Sequence, residues 1–318
     1  MRAKLLFAAF LLAVSGLLAG CGRDTVNSPT TTPTSSVDQA EVASVLASEP
    51  AVIEDAQFEN AEVTALGGAT PGSFAAIRPL RFWRNITDVQ RRFEFAFADS
   101  DSAGRPTTAI VTVHKLLGGE FNILAGTPDT EATPADSTLN VIHKPLADHW
   151  VRRILLKRRP SPDGARSMWR IVATSSVKVT SRDAQTRIES LRVQTAGLDT
   201  TITDPLQFVF LRRILKFEPE TPITLTVTTL KNDDVVVLCR FGNRLRFRNN
   251  GDNTYTGVWH LPPPGAGPGP GPVGPPIGHF GVNALSRGTL FDDTAPYDSQ
   301  AWLLPFLVVP DEIADALP

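Results

Sequence analysis

The stretch Phe93-Glu94-Phe95-Ala96-Phe97 decides the fold class. Its phenylalanines recur every second residue, which puts the three rings on one face of an extended chain and Glu94 and Ala96 on the other. An amphipathic helix would repeat its apolar residues every three or four, so the pattern is that of a half-buried strand. Working outward, residues 99–106 read as a turn and 108–116 as the returning strand. Gly118-Gly119 then leads into a separate strand over 121–125. After a polar loop at 126–137, the segments 139–143, 151–157 and 168–174 read as further strands. Upstream, 36–46 reads as a short helix with Ser36 as N-cap, Val37, Val42, Val45 and Leu46 on one face, and Pro50 as its stop.

The second half carries strand-like runs at 187–193, 223–229, 234–241, 245–248, 254–261, 279–285 and 302–309. Short strands at such spacing indicate a sandwich. Asn249-Asn250-Gly251-Asp252 is a hairpin signal, because Asn and Gly tolerate the positive φ of a tight turn. In residues 262–276 every position except Ala266 and Val273 is Pro or Gly. Such a backbone cannot join a ladder, so this is a loop between strands. The reading is a mainly β protein: a helix-plus-antiparallel-sheet (α+β) domain at 37–183, then an antiparallel β-sandwich at 184–310 and a tail at 311–318. That sandwich resembles the immunoglobulin-like sandwiches of bacterial exported proteins in architecture, without the paired cysteines of antibody domains.

The first residues carry an address. Arg2 and Lys4 precede an apolar run that ends in Leu18-Ala19-Gly20-Cys21. A basic start, a short apolar core and small residues before a cut define a secretory signal, and the run is too short to span a bilayer. Leu18-Ala19-Gly20-Cys21 resembles the lipobox of bacterial lipoproteins. The resemblance implies cleavage after residue 21's predecessor, a diacylglycerol on the Cys21 sulfur and an N-acyl chain such as palmitate on its nitrogen. It also implies residence at the bacterial cell envelope, anchored to a membrane. Gly22 stands where Asp marks inner-membrane retention in many such proteins, so the expected location is the outer membrane, on its periplasmic or surface face. Residues 22–36, rich in Thr, Ser and Pro, form a polar tether.

Charge sets further bounds. The chain has 31 Lys and Arg against 33 Asp and Glu, net −2. Loss of residues 1–20 removes Arg2, Lys4 and no acid. That balance excludes a dedicated nucleic-acid binder. With Cys21 acylated, Cys239 has no partner for a disulfide and reads as a small buried side chain.

Candidate chemistry is thin. Gly269-Pro270-Gly271-Pro272-Val273-Gly274 matches a dinucleotide fingerprint in letters only, since prolines remove the N–H donors and no helix follows. Ser286 lacks a following His and reads as lying between strands, unlike a nucleophile elbow. Asp99 to Gly104 begins like a calcium loop, but Ile110 stands where a bidentate Glu is required. Asp292, Asp293 and Asp298 share one loop and are weak cation candidates. His143 and His149, with Asp148, lack the further ligands a zinc site needs. The best interaction candidate is a basic segment, Lys144, Arg152, Arg153, Lys157, Arg158 and Arg159, near Trp150 and Trp169, suited to anionic envelope polymers or headgroups.

The expectation is a membrane-anchored envelope lipoprotein with a non-catalytic binding or assembly role, whose partners are the membrane and an envelope polymer or protein. Its alternatives are an envelope glycan hydrolase with a carboxylate pair joined only in space, or a structural spacer.

Overall fold

Alternation extends far beyond five residues. A computed structural model describes residues 36–49, 76–126, 139–160, 167–240, 243–261 and 277–309. Helix α1 (Ser36–Ser48) precedes four long strands, β1 (Arg78–Ser100), β2 (Pro106–Gly126), β3 (Leu139–Pro160) and β4 (Ser167–Ser181). Shorter strands follow: β5 (Ile188–Gln194), β6 (Asp199–Ile202), β7 (Val209–Phe210), β8 (Leu215–Phe217) and β9 (Pro222–Thr229). Then come β10 (Val235–Arg240), β11 (Asn243–Arg246), β12 (Arg248–Asn249), β13 (Thr254–His260) and β14 (Ile277–Leu285). Helix α2 (Arg287–Phe291) leads to β15 (Ser299–Val308).

Two sheets result. The larger runs β1-β2-β3-β4-β15-β14-β10-β11, with β7 beside β4 and β8 beside β15. The smaller runs β12-β13-β9-β5-β6. Pairing is antiparallel except between β15 and β8. The protein is mainly β with one short N-terminal helix, as the alternation implies.

Strand β15 explains how the sheets pack. Its apolar run buries Ala301 and Leu303 in one core with β1–β4 and α1, and Trp302, Leu304 and Phe306 in a second core against β5, β9 and β13. A strand covered on both faces needs apolar residues at every position, which Ala301 to Val308 supplies. Phe217, Trp259, Phe280 and Phe306 interlock in the second core with centroids 5.3–6.2 Å apart, geometry worth about 0.5–1.5 kcal/mol per pair beyond burial. Pro305 is tolerated in β15 because it stands at a changeover: β4 pairs through Leu303 and β8 from Phe306.

The larger sheet crosses the expected boundary at 183/184. Val177–Thr180 of β4 pair with Gln300–Leu303 of β15, and the crossing chain is pinned to the start of β15. Asp298 Oδ1 accepts from Gln185 N and Thr186 N, both at 3.1 Å, and Gln300 Oε1 accepts from Ile188 N at 2.9 Å. The expected hairpin at Asn249–Asp252 forms, with Gly251 at φ +89° and Asn250 N donating to Thr254 O at 2.9 Å. Its strands differ from expectation, however. β11 belongs to the larger sheet and β12 to the smaller, the chain changing sheets at buried Phe247.

Candidate functional site

Strand β3 carries the whole basic candidate, and its period of two divides it. From Lys144 to Leu156 the even-numbered side chains are buried against the enclosed face, while the odd-numbered ones are half-buried or exposed. Lys144, Arg152 and Arg158 thus lie on one face and Arg153, Lys157 and Arg159 on the other. The six cations read as one surface do not form one. Alternation separates residues that the linear sequence groups.

The inward cations hold the fold together. Lys144 Nζ donates to the carbonyls of Gly288, Asp292 and Ala295 at 3.2, 2.6 and 2.6 Å, clamping β3 to α2 and the loop after it. Burial pushes its ammonium down to about 8, against the pull of Asp292 and Asp293. The Arg152 guanidinium lies 5.4 Å from the Trp150 ring centre, over which Lys115 Nζ also sits at 4.8 Å. Arg158 stacks on Trp169 at 4.6 Å, hydrogen-bonds Asp38 and pairs with Glu41 at 3.5 Å. That contact explains why a charged residue, Asp38, is buried on α1 while Val37 is 63% exposed. Of the outward three, Arg153 lies over Phe208 at 4.7 Å, Lys157 donates to Asp99 and Thr108, and Arg159 is exposed.

At the centre of the enclosed face lies a network that the sequence does not announce. Arg84 Nη2 donates to the Tyr297 hydroxyl at 2.6 Å, and Arg84 Nη1 stands 3.4 Å from Asp148 Oδ2. The Tyr297 hydroxyl lies 3.2 Å from Asp148 Oδ2, to which it donates, and 2.6 Å from Ser299 Oγ. Burial drives the Asp148 carboxyl upward, with Arg84 and Tyr297 pulling it back. Burial likewise raises the Tyr297 phenol. These residues sit on β1, β3 and the segment entering β15. They come from segments far apart in sequence, so no spacing rule encodes their convergence. Removing one partner of such a buried ion pair leaves an uncompensated buried charge and is strongly destabilising.

The remaining candidates have local duties. Asp292 Oδ1 accepts from Thr294 N and Ala295 N at 2.8 and 3.2 Å, and Asp298 staples residues 185–186, its Oδ2 accepting from Thr186 Oγ1 at 3.0 Å. Asp293 joins no cation-binding group, since no cluster of three His, Cys, Asp or Glu suited to a metal occurs among the described residues. His143 stands 3.4 Å from Glu120. His149 Nε2 meets His114 Nδ1 at 2.9 Å on the outer face, and His114 Nε2 lies 3.4 Å from Glu94. Burial and the His114 charge both hold the His149 imidazole below its ordinary range. Asp101 closes the hairpin tip by accepting from Ala103 N and Arg105 N, both at 2.9 Å. Ser286 stands at a strand-to-helix junction, not between strands as read, because α2 follows it. Its Oγ accepts from Thr289 N at 3.1 Å as the helix N-cap, which is what a Ser at that position does. Cys239 is buried and free. Cys21 and the Gly269–Gly274 motif lie outside the described residues.

One carboxyl group is out of the ordinary. Asp234, just before β10, is 3% exposed. Burial raises it to about 6; the Thr229 hydroxyl and Lys231 oppose the rise, while the charges of Asp233 and Asp298 add to it. A raised acid near a second carboxylate is the pattern of a glycosidase pair. Here the raised acid is sealed from solvent and offers no face to a saccharide, and Asp298 is committed to three hydrogen bonds. No family model, no curated protein and no solved structure matches the chain.

Proposed function

We propose that the chain is an exported lipoprotein, held to the outer membrane through acyl chains on Cys21, whose β-sheet body serves a non-catalytic binding or assembly role at the envelope. The observation that carries this reading is Leu18-Ala19-Gly20-Cys21 after a basic start and a short apolar run. Two or more acyl chains hold a soluble body firmly at a membrane, where a single chain does not. The Thr, Ser and Pro of residues 22–36 give the body a polar spacer. A binding or assembly role is supported by how the polar residues of the body are used: Arg84, Lys144, Asp148, Arg158 and Asp298 are each engaged with other parts of the same chain. Partner contacts then fall to exposed edges and outward side chains. The test is membrane fractionation of Cys21→Ser in a bacterial host that processes lipoproteins. The variant should lose label from radioactive palmitate and leave the membrane fraction. A Cys21→Ser chain that still fractionates with membranes overturns the reading.

A further inference from the structure

Strand β1 is an edge. Among the described residues it pairs with β2 alone, and its residues Thr87–Glu94 are all exposed, including Val89 at 46% and Phe93 at 37%. An exposed, long edge strand is a template for another strand. Register shifts interrupt β1 between Pro79 and Arg81 and between Ile86 and Asp88, whereas Asp88 to Ala98 runs without a shift. That regular stretch is centred on Phe93.

We infer that β1 is the self-association surface of this protein, two copies pairing antiparallel through their β1 edges with Phe93 on the two-fold axis. The inference is independent of Cys21. In this register, residues on the enclosed face oppose Val89 to Phe97, Arg91 to Phe95 and Phe93 to its own counterpart. On the outer face Arg92 opposes Glu94 and Glu94 opposes Arg92, so the opposite-charge pair occurs twice. No like charges stand directly across from each other. Moving the axis to Arg91 would set Arg91 against Arg91 and Asp88 against Glu94, and moving it to Arg92 would set Arg92 against Arg92. Directly opposed like charges destabilise a strand pair, while opposite-charge and aromatic pairs stabilise it. An axis at Gln90 would pull the irregularity at Ile86–Asp88 into the middle of the ladder. An axis at Phe95 also avoids like charges, opposing Arg91 to Asp99, but Asp99 stands at φ +53° beyond the regular stretch, and the Phe93 axis alone keeps all of Asp88 to Ala98 in one ladder. The occupant with the matching sequence is a second copy of the chain. Within one chain Arg92 already bonds Glu94, and His114 lies beside Glu94. The pairing thus extends a charge row already ordered on the surface.

The experiment is sedimentation of the purified full-length protein in detergent over a concentration series, with charge reversals. Wild type should show a concentration-dependent dimer. Arg92→Glu and Glu94→Arg should each weaken association about tenfold or more, because each places like charges opposite each other twice. The double variant Arg92→Glu/Glu94→Arg should restore it. In parallel, Phe93→Cys should give a disulfide-linked dimer under mild oxidation in membranes, and Gln90→Cys should not. A protein monomeric at every concentration, a dimer indifferent to both reversals, a double variant no tighter than the singles, or cross-linking through Gln90→Cys in place of Phe93→Cys would each overturn the inference.

Discussion

A carboxyl group shut away from water gains its charge late, and Asp234 is such a group. Its acidity moves from the ordinary 3.8 to about 6 on folding. The folded state therefore binds the proton more tightly than the unfolded chain, so stability from this group is present at low pH and is lost as pH rises through 6. Asp234→Asn keeps the shape and removes the charge. It should unfold at higher denaturant than wild type at neutral pH, by about 1–2 kcal/mol once solvent screening discounts the full shift. The advantage should vanish below about pH 4, where both states of the wild type are protonated. Urea midpoints at several pH values would show this, and an advantage that does not change with pH would contradict it. The strand reading of 234–241 does not reveal the burial of Asp234, which follows three polar residues, Lys231-Asn232-Asp233. Only the closure of β9 onto β13 brings Tyr255 close, its hydroxyl donating to Lys231 O at 3.0 Å.

At the scale of elements, the strands were legible and their lengths were not. The alternation of Phe93, Phe95 and Phe97 is kept in β1, where they share the enclosed face, and the seven runs of the second half all contain strands. Gly118-Gly119 reads as a break, yet β2 continues through both residues. The reason is steric. Opposite this pair β1 shifts register between Ile86 and Asp88, and a Cβ on Gly119 would stand 2.0 Å from Asn85 O. The glycine admits the close approach of a neighbouring backbone instead of ending the strand. Gly119→Ala should therefore cost about 2–4 kcal/mol, since the obstacle is main chain and cannot swing aside. Gly118→Ala should be tolerated, its nearest neighbour being Asp88 Cβ at 3.5 Å. Thermal midpoints would separate the two, and equal midpoints would refute this account of the bulge. The separate strands expected at 139–143 and 151–157 are likewise one strand, β3, which runs through Pro145. Among the described residues β3 pairs with β4 only from Asp148 onward, so the missing N–H falls where β4 does not reach.

For the whole molecule, the domain expected at 37–183 and the sandwich expected at 184–310 contribute strands to one sheet. Pairing of Gln300 with Thr180 is a contact between distant parts of the chain, and nothing local in either strand encodes it. The Arg84–Tyr297 bond, 213 residues apart in sequence, was hidden for the same reason. The basic segment failed as one surface for the opposite reason: its members are neighbours in sequence, and a strand sends neighbours to opposite faces. The role proposed for this chain at the envelope rests on Leu18-Ala19-Gly20-Cys21. The most direct measurement is the intact mass of the amino-terminal peptide, released by proteolysis from membranes of cells producing the full chain. The account predicts a peptide that begins at Cys21 and carries the added mass of a diacylglycerol and an acyl chain. A peptide that begins at Met1, or a Cys21 with an unmodified thiol, would contradict it.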